Sequence, residues 1–349
     1  MTIYIVDLEA VDTRYTKEWK YHLPRQLKKA TNHEVVSISG GDTPQATTPG
    51  AFLNFGGTNV YKANQMQQIG KMFCDGKIKD GDYFLYTDDW NPTVLQLKYM
   101  AELLKVKIKI GGMWHAGSYD PQDFLGRLIG DKPWVRNTEQ AMFDTFDHNF
   151  FATQFHIDLF KETFPQVQDS KMVRAGWPME YMEPTLDLYQ NMEKKNKILF
   201  PHRLAPEKQP AIFEDLKRSL PQYEFVTCQQ RPLSKNEYHN LLGEAKLMFS
   251  ANLQETLGIS WYEGAILNVI PMIPDRLSYS EMAMKEFLYP SEWTENMESY
   301  RANKSHIIAK IEDYMENYKK YLPAVIKQKQ RLKEQFFSGK KLYGAVSNG

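Results

Sequence analysis

The most informative stretch of this chain is SANLQETLGISWYEGA, residues 250–265. It places two carboxylates, Glu255 and Glu263, on either side of Gly258. Because glycine readily adopts the left-handed conformation of a turn, we predict a loop that carries Glu255 and a helix that begins near Ile259. Glu263 then lies about one turn inside that helix.

The predicted turn has the chemistry of an anion site. The backbone amides of Thr256, Leu257 and Gly258 would lie at the N-terminus of the helix, which carries a partial positive charge. The two carboxylates add hydrogen-bond acceptors for hydroxyl groups. Together these groups suit a ligand with hydroxyls and an anionic group, such as a nucleotide sugar. The alternative is that both glutamates are solvated charges.

The segment resembles the donor-binding segment of retaining GT-B glycosyltransferases, in which the second Glu is followed by a short strand and a proline-rich turn. Residues 267–274, LNVIPMIP, continue that pattern. Upstream, residues 197–208, KILFPHRLAPEK, resemble the strand and loop whose Arg and Lys hold the donor diphosphate. Arg203 and Lys208 are the corresponding residues here, although either could be a surface cation.

Between these blocks the pattern predicts alternating strands and helices, as in a nucleotide-binding half. We expect strands over 223–228 and 246–250 with a helix over 234–244 between them. The resemblance is specific over residues 197–282 and only architectural over the N-terminal half.

The resemblance implies an α/β fold of the GT-B type, with two Rossmann-like domains facing across a cleft. Residues 1–178 would bind the acceptor and residues 190–317 the nucleotide sugar, with a helix at about 318–340 packing back on the first domain. It also implies an enzyme that transfers a sugar from a nucleoside-diphosphate sugar, with UDP the expected nucleotide. Transfer would proceed with retention and without a cofactor or metal.

The resemblance also implies a role for each donor-site residue. Arg203 and Lys208 would stabilise the diphosphate leaving group, as a planar fork and a point charge. Glu263 would hold the donor ribose and Glu255 a sugar hydroxyl.

The N-terminal half alternates short β-rich runs with helical ones, which predicts a parallel sheet covered on both faces. We expect strands at 3–6, 34–38, 52–55, 83–86 and 107–110, a helix over 150–163, a last strand at 172–175 and a linker over 179–196.

Several polar side chains follow these strands. His115, in GGMWHAG at 111–117, follows the strand at 107–110; the resemblance implies a histidine beside the transferred sugar, and the alternative is a loop imidazole bonded to backbone. Asp88 and Asp89 follow another strand, where either could bind or deprotonate the acceptor or form a solvated turn. Arg14 and Trp114 complete the expected acceptor-binding set.

Composition restricts the other possibilities. The chain has 349 residues with 42% hydrophobic content, enough for two domains. Cys74 and Cys228 suggest neither a disulfide framework nor a zinc site, and no apolar run approaches the length of a membrane span. We therefore expect a cytoplasmic protein. Asp80-Gly81-Asp82 matches the metal-binding Asp-x-Asp signature of GT-A glycosyltransferases, but its position before a strand predicts an ordinary turn.

Charge is balanced overall, at 43 basic and 43 acidic residues, but unevenly distributed. Residues 319–341 carry eight cations against one acid, and residues 14–29 carry six against one. If the last helix crosses back to the first domain, these segments would form one basic face beside a polyanionic acceptor. The alternative is that the last helix is an amphipathic helix with one solvated face.

The sequence does not identify the acceptor substrate. The abundance of Tyr, Phe and Met and the scarcity of Gly resemble phage-encoded glycosyltransferases that modify hydroxymethylated pyrimidines in DNA. That resemblance predicts 5-hydroxymethylcytosine in double-stranded DNA as the acceptor, with glucosyl or arabinosyl transfer, in the cytoplasm of an infected host. A cell-surface glycan or lipid-linked sugar is the second possibility. A non-catalytic module that binds nucleotide sugar or DNA is the third.

Overall fold

The chain forms two compact α/β units in this computed structural model, which describes residues 1–11, 15–44, 46, 48 and 53–348. The first unit is Met1–Pro178 together with Ser338–Gly349, and the second is Met179–Phe337. Each unit has one parallel sheet between layers of helices.

The first unit contains a six-stranded sheet in the order β2-β1-β3-β4-β5-β6. Its strands are β1 (Thr2–Val6), β2 (Glu34–Ile38), β3 (Tyr83–Tyr86), β4 (Lys109–Trp114), β5 (His148–Phe151) and β6 (Met172–Arg174). Its first six helices are α1 (Tyr15–Thr31), α2 (Phe55–Cys74), α3 (Thr93–Leu103), α4 (Phe124–Leu128), α5 (Pro133–Thr145) and α6 (Gln154–Thr163).

The second unit contains a five-stranded sheet in the order β11-β10-β9-β7-β8. Its strands are β7 (Lys195–Phe200), β8 (Glu224–Thr227), β9 (Ala245–Phe249), β10 (Ile270–Pro274) and β11 (Leu288–Tyr289). Its helices are α7 (Met182–Leu186), α8 (Pro210–Ser219), α9 (Lys235–Glu244), α10 (Ile259–Ile266), α11 (Ser278–Met282), α12 (Met297–Glu316) and α13 (Tyr318–Gln335). The last helix, α14 (Lys340–Ser347), returns to the first unit.

The strands are apolar on both faces because helices cover both faces of each sheet. All four residues of β3 are buried. Phe84, Trp114 and Phe160 belong to the core of the first unit, and Ile198 and Phe249 to the core of the second.

The predicted fold class of two parallel-sheet units is confirmed. The strands expected at 34–38 and 83–86 have those bounds, and the helix expected near Ile259 begins there. The linker expected at 179–196 instead contains α7 and the start of β7, and it belongs to the second unit.

Two local predictions in the first unit were wrong. The strand expected at 52–55 is not formed, since α2 begins at Phe55 and the Asn54 side chain accepts the Gly57 amide at 2.8 Å as its N-cap; Phe52 lies outside the described residues. The helix expected over 150–163 begins only at Gln154, because Thr153 caps it. The residues before that cap form the missed strand β5.

The C-terminal helix was also assigned to the wrong unit. The helix at 318–335, α13, packs on α10, α12 and β10 of the second unit, where Val325 and Leu332 are fully buried. Helix α14 instead packs on the first unit, against α1 and β6. The hydrophobic face that we expected to lie on the first domain therefore completes the core of the second.

Candidate functional site in the second unit

The candidate site of the second unit lies where the order of its sheet reverses. β8 lies on one side of β7 and β9 lies on the other, so β7 and β9 flank the switch point of the sheet. Ligands of open α/β sheets bind at the carboxyl ends of the strands at such a point. The loop after β7 carries Arg203 and Lys208, and the loop after β9 carries Glu255.

These two loops are joined by direct contacts. The ammonium Nζ of Lys208 lies 3.6 Å from Glu255 Oε2 and donates a hydrogen bond to the Gln254 carbonyl oxygen. The Leu253 amide donates to the Glu207 carbonyl oxygen at 2.7 Å. Lys208 is only 5% exposed, so its charge requires this partner. The structure therefore brings together two residues that lie 47 positions apart in sequence.

Glu255 also organises the turn into α10. Its Oε1 accepts the Gly258 amide at 2.9 Å and the Leu257 amide at 3.4 Å. Gly258 has φ +82°, and a Cβ at this position would lie 3.2 Å from Tyr279 Cε1. Glycine thus suits the left-handed conformation, and a Cβ here would be crowded against Tyr279. The Leu257 and Gly258 amides, which we predicted would face an anion, therefore donate to the Glu255 carboxylate. Thr256 lies in the same turn.

The loop after β7 adds a second cation. The Arg203 guanidinium is 36% exposed, and its Nη2 donates to the buried Glu207 carboxylate at 3.2 Å. His202, which sequence reasoning did not select, is buried beside both cations. Burial, followed by the charges of Lys208 and Arg203, lowers the pKa of His202 well below its usual value, so the imidazole is neutral. Its position directly before Arg203 in the sequence could have identified His202 as part of this loop.

The loop after β9 is held by buried hydrogen bonds. The Asn252 side chain donates to the Tyr279 hydroxyl at 2.9 Å, and Arg276 donates to the carbonyl oxygens of Ala251 and Asn252 at 2.8 and 2.7 Å. These hydrogen bonds hold the backbone of the loop that carries Glu255. No spacing in the sequence identified them.

Glu263 lies in a separate polar cluster on α10. Its Oε2 accepts the Tyr238 hydroxyl of α9 at 3.1 Å, and its Oε1 lies 4.0 Å from His239 Nε2. Burial lowers the pKa of His239 to about 4, which leaves that ring neutral near pH 7. Burial, then the Glu263 charge, raises the pKa of the Cys228 thiol to about 12. Glu263 therefore lies near a neutral histidine and a neutral thiol.

In the first unit, His115 is tied to the protein. Its Nε2 lies 2.8 Å from the Thr87 carbonyl oxygen, so that nitrogen carries the proton. Its Nδ1 then accepts the Tyr15 hydroxyl at 3.0 Å. Trp177 packs against the same imidazole ring, with the two ring centroids 5.1 Å apart. The expected position after β4 is observed, and both ring nitrogens are engaged.

Asp88 and Asp89 differ although they are adjacent. Burial opposes ionisation of Asp88, but the Lys62 ammonium 3.2 Å away holds the pKa of this carboxyl below its usual value. Burial, followed by the Asp88 charge, raises the pKa of Asp89 well above its usual value. Asp88 is therefore the ionised member, and its side chain is 21% exposed. Asp89 is fully buried.

Trp114 does not fit its expected role. Its side chain is fully buried in the core of the first unit, and its indole N–H donates to Asn149 Oδ1 at 2.8 Å. No surface of the ring is left for an acceptor. Arg14 lies outside the described residues.

Asp80 and Asp82 form turns into β3. Asp82 accepts the Thr2 and Lys79 amides at 2.8 and 2.9 Å, and Asp80 accepts the Lys107 amide at 2.8 Å. Within residues 1–11, 15–44, 46, 48 and 53–348, no three His, Cys, Asp or Glu side chains are grouped as a metal ion would require. Over the same part of the chain, no helix has the length and apolar character needed to cross a membrane.

Neither a protein-family model nor a curated protein sequence matches this chain. Solved structures do. The catalytic domain of starch synthase IV from Arabidopsis thaliana, bound to ADP and acarbose, has a TM-score of 0.60 at 10% identity, covering 100% of this chain and 99% of that one. The lipopolysaccharide outer core galactosyltransferase WaaB has a TM-score of 0.60 at 9% identity, covering 100% of this chain and 99% of WaaB.

A third similar structure is larger than this chain. The pneumococcal O-GlcNAc transferase GtfA, in complex with UDP and GlcNAc, has a TM-score of 0.55 at 13% identity over 82% of this chain. This chain spans 60% of that protein. These likenesses, together with the two parallel sheets, define the class: the chain has the GT-B fold.

Proposed function

We propose that this chain is a retaining glycosyltransferase that moves a sugar from a nucleoside-diphosphate sugar, with UDP as the nucleotide, to a hydroxyl acceptor. The observation that carries this proposal is the contact between Lys208 and Glu255 at the switch point of the second unit. It joins a cation for the diphosphate to a carboxylate for a sugar hydroxyl, beside the start of α10. The neighbours with bound UDP or ADP support the same class of donor.

In this mechanism the charges of the loop after β7 act on the leaving group. As the bond from the sugar C1 to the diphosphate oxygen breaks, Arg203 and Lys208 stabilise the developing negative charge without a metal ion. The acceptor hydroxyl attacks from the face that the leaving group vacates, and a donor phosphate oxygen takes its proton. Glu255 holds a sugar hydroxyl and Glu263 the ribose.

We place the acceptor in DNA, as 5-hydroxymethylcytosine, with glucosyl or arabinosyl transfer in the cytoplasm of a phage-infected host. The support is electrostatic. Lys28 and Lys29 on α1 and Lys340 and Lys341 on α14 are exposed, and these two helices pack together in the first unit. Such a surface suits a phosphate backbone. In the first unit, Asp88 can contact the acceptor and His115 can orient the transferred sugar.

A glycan or lipid-linked sugar is the second candidate acceptor. It is supported by the fold neighbour WaaB, whose name gives it a lipopolysaccharide outer core acceptor. A carbohydrate acceptor does not need the exposed lysines of α1 and α14. The two candidates therefore differ in their expected dependence on salt.

The test is mass spectrometry of DNA that contains 5-hydroxymethylcytosine after incubation with UDP-glucose, UDP-arabinose or ADP-glucose. We expect a mass increase of one glycosyl group with a UDP-sugar, unchanged by EDTA and formed much more slowly by Arg203→Ala. Unmodified cytosine DNA is the matched control. Transfer only to a lipopolysaccharide core would favour the second acceptor, and donor binding without any transfer would favour a non-catalytic module.

A further inference from the structure

One arginine joins three of the loops at the carboxyl ends of the second sheet. Arg276, which follows β10, donates through Nε to the Asn252 carbonyl oxygen at 2.7 Å and through Nη2 to that of Ala251 at 2.8 Å. Its Nη1 donates to the Ser291 carbonyl oxygen at 3.0 Å, and Nη2 also donates to that of Thr294 at 3.2 Å. Ala251 and Asn252 follow β9, whereas Ser291 and Thr294 follow β11. We call these four carbonyl oxygens the carbonyl cluster.

A glutamine of a fourth loop binds two members of the same cluster. Gln209 directly follows Lys208 in the chain, after β7. Its Nε2 donates to the Ala251 carbonyl oxygen at 2.7 Å and to the Thr294 carbonyl oxygen at 2.6 Å. Each of these two oxygens therefore accepts hydrogen bonds from both Gln209 and Arg276. The carbonyl cluster links the loops after β7, β9, β10 and β11.

The backbone beside this cluster adopts conformations that few residues favour. Gln209 has φ +51° and ψ +51°, although it is not a glycine. Leu277, directly after Arg276, has φ +59° and ψ −150°, a combination that is rare for any residue other than glycine. Such conformations persist only where surrounding contacts impose them, and they concentrate at functional sites. The hydrogen bonds of Gln209 and Arg276 supply such contacts.

The carbonyl cluster lies close in the chain to both charged residues that contact each other in the candidate site. Gln209 is bonded to Lys208. Asn252 lies three positions before Glu255. Ser278, at the start of α11, adds a hydrogen bond of 3.4 Å from its hydroxyl to the Glu255 carbonyl oxygen. The 3.6 Å approach of Lys208 Nζ to Glu255 Oε2 thus joins loops that also meet at the cluster.

A guanidinium suits this position because of its shape. It is planar and carries five N–H donors in fixed directions, so one side chain can hold the carbonyl oxygens of two loops at once. The acceptors that the structure shows for Arg276 are the carbonyl cluster and the Thr294 hydroxyl, at 3.1 Å. This side chain therefore fixes the position of backbone. A lysine ammonium has the same charge but lacks the fork.

We propose that Arg276 and Gln209 are positioning residues for the donor site, and that they hold the loop after β9 so that Glu255 stays in contact with Lys208. The inference rests on the proposed function, because Arg276 acts on the reaction only through Lys208 and Glu255. A misplacement of about 1 Å at reacting groups can slow catalysis by about a hundredfold. The carbonyl cluster thus controls a catalytic geometry that it does not touch.

The first test is the rate of glycosyl transfer by Arg276→Ala, with UDP-glucose and DNA that contains 5-hydroxymethylcytosine. At a temperature at which circular dichroism shows the variant to be folded, we expect kcat to fall about tenfold to a hundredfold, with a smaller change in donor KM. Arg276→Lys keeps the charge without the fork and should remain close to Arg276→Ala. Arg218→Ala, at an exposed arginine of the same unit, is the matched control. Parental kcat in folded Arg276→Ala, or full recovery in Arg276→Lys, would overturn the assignment.

Chemical rescue separates shape from charge. Ethylguanidinium supplied to Arg276→Ala replaces the missing fork, and we expect it to restore at least part of kcat. Ethylammonium has the same charge and should not. Equal restoration by the two cations would overturn the assignment, because the planar donors would then have no special role.

The second test needs no sugar transfer. Hydrogen–deuterium exchange of the peptide 250–258 reports on the loop after β9, where the Leu253 amide donates to the Glu207 carbonyl oxygen at 2.7 Å. We expect exchange in Arg276→Ala to be about tenfold faster for this peptide and unchanged for peptide 195–200 of β7. Equal acceleration of both peptides would indicate general loss of stability and would overturn the inference.

Gln209→Gly provides a milder variant. Glycine adopts the left-handed conformation readily, so this substitution removes the two side-chain hydrogen bonds and leaves the turn. We expect faster exchange of peptide 250–258 and a smaller loss of kcat than in Arg276→Ala. Faster exchange in both variants, without transfer by the parent, would refute the proposed function alone. Normal transfer by the parent, with parental exchange and kcat in both folded variants, would refute this inference alone.

Discussion

Lys208 Nζ and Glu255 Oε2 lie 3.6 Å apart in the second unit, although the residues belong to loops after two different strands. The same carboxylate accepts the Gly258 amide through its other oxygen. A single side chain therefore connects the buried cation to the start of α10. A diphosphate bound at this point would share the Lys208 charge with Glu255.

Replacing Glu263 should weaken donor binding. Glu263→Ala removes the acceptor proposed for the ribose hydroxyls, so we expect UDP affinity to fall by about tenfold or more. Tyr238→Phe removes only the 3.1 Å hydrogen bond that orients Glu263 and should have a smaller effect. Isothermal titration calorimetry measures both. Glu292→Ala, at an exposed glutamate, is the control, and parental affinity in Glu263→Ala would exclude the ribose assignment.

Replacing Arg203 should reduce turnover more than affinity. Charge on the diphosphate grows towards the transition state, so Arg203→Ala should lower kcat by about a hundredfold with a smaller change in donor KM. Arg203→Lys keeps a cation near Glu207 and should recover part of the rate. Steady-state kinetics with varied donor measure this. Arg301→Ala is the control for loss of an exposed arginine. A kcat of Arg203→Ala equal to that of the parent would refute the role assigned to Arg203.

Gly258 has a left-handed backbone conformation and little space for a Cβ. Gly258→Ala should lower the free energy of unfolding by about 1–2 kcal/mol, because φ of +82° is unfavourable for alanine. The crowded contact with Tyr279 adds to this cost. Gly70→Ala is the control: it lies inside α2 with open space around its Cβ position and should stabilise by up to about 1 kcal/mol. Urea unfolding compares the two, and an unchanged midpoint for Gly258→Ala would contradict the prediction.

Stability should depend on pH through Asp7. Burial raises the pKa of Asp7 from 3.8 to about 6, so the folded state binds more protons between these values. The stabilising effect of protonation is present below pH 3.8 and is lost as pH rises through 6. Asn does not ionise, so Asp7→Asn should become more stable relative to the parent by about 2 kcal/mol between pH 4 and 7.

Urea unfolding at several pH values measures this difference. The control is Asp75→Asn, whose carboxylate is exposed. Its stability relative to the parent should change little over the same range. A constant difference between Asp7→Asn and the parent would show that Asp7 titrates as an exposed carboxyl does.

The salt dependence of transfer should report on the acceptor. Four exposed lysines, Lys28, Lys29, Lys340 and Lys341, are replaced by Gln. If DNA is the acceptor, its KM should rise, and the log-log salt slope should fall by about 0.9 for each lysine–phosphate ion pair that the substitutions remove. Donor hydrolysis should hardly change, since the proposed donor site lies in the second unit.

A matched set removes the same charge from α13: Lys319, Lys320, Lys327 and Lys329 to Gln. We expect a smaller change, because α13 packs in the second unit. Arg331 and Lys333, also on this helix, already bind the Glu281 carbonyl oxygen and the Glu183 carboxylate. Equal effects of both sets would indicate a response to net charge, and no effect of either would favour the glycan acceptor.

Features that depend only on neighbouring residues could be predicted from the amino-acid sequence. The hydrophobic periodicity and the turn residues were enough to predict β2, β3 and the start of α10 at Gly258. Short-range steric effects and helix capping govern these elements. The spacing of Arg203, Lys208, Glu255 and Glu263 was enough to select the donor-site candidates. Asn54 and Thr153 were missed as caps, and this is why the strand at 52–55 was wrong and β5 was not seen.

Contacts between distant residues, and the polar atoms left without a partner among the described residues, depend on how the chain packs in three dimensions. Trp114 follows a predicted strand as an acceptor residue would, yet the folded core buries it entirely. Helix α13 joins the second unit because its apolar face fits α10 and β10 there. The Tyr238 hydroxyl donates to Glu263, 25 positions further along the chain. One oxygen of Asp7 is buried and accepts no hydrogen bond from the residues that the structure describes. Such contacts depend on packing in three dimensions, which no local pattern encodes.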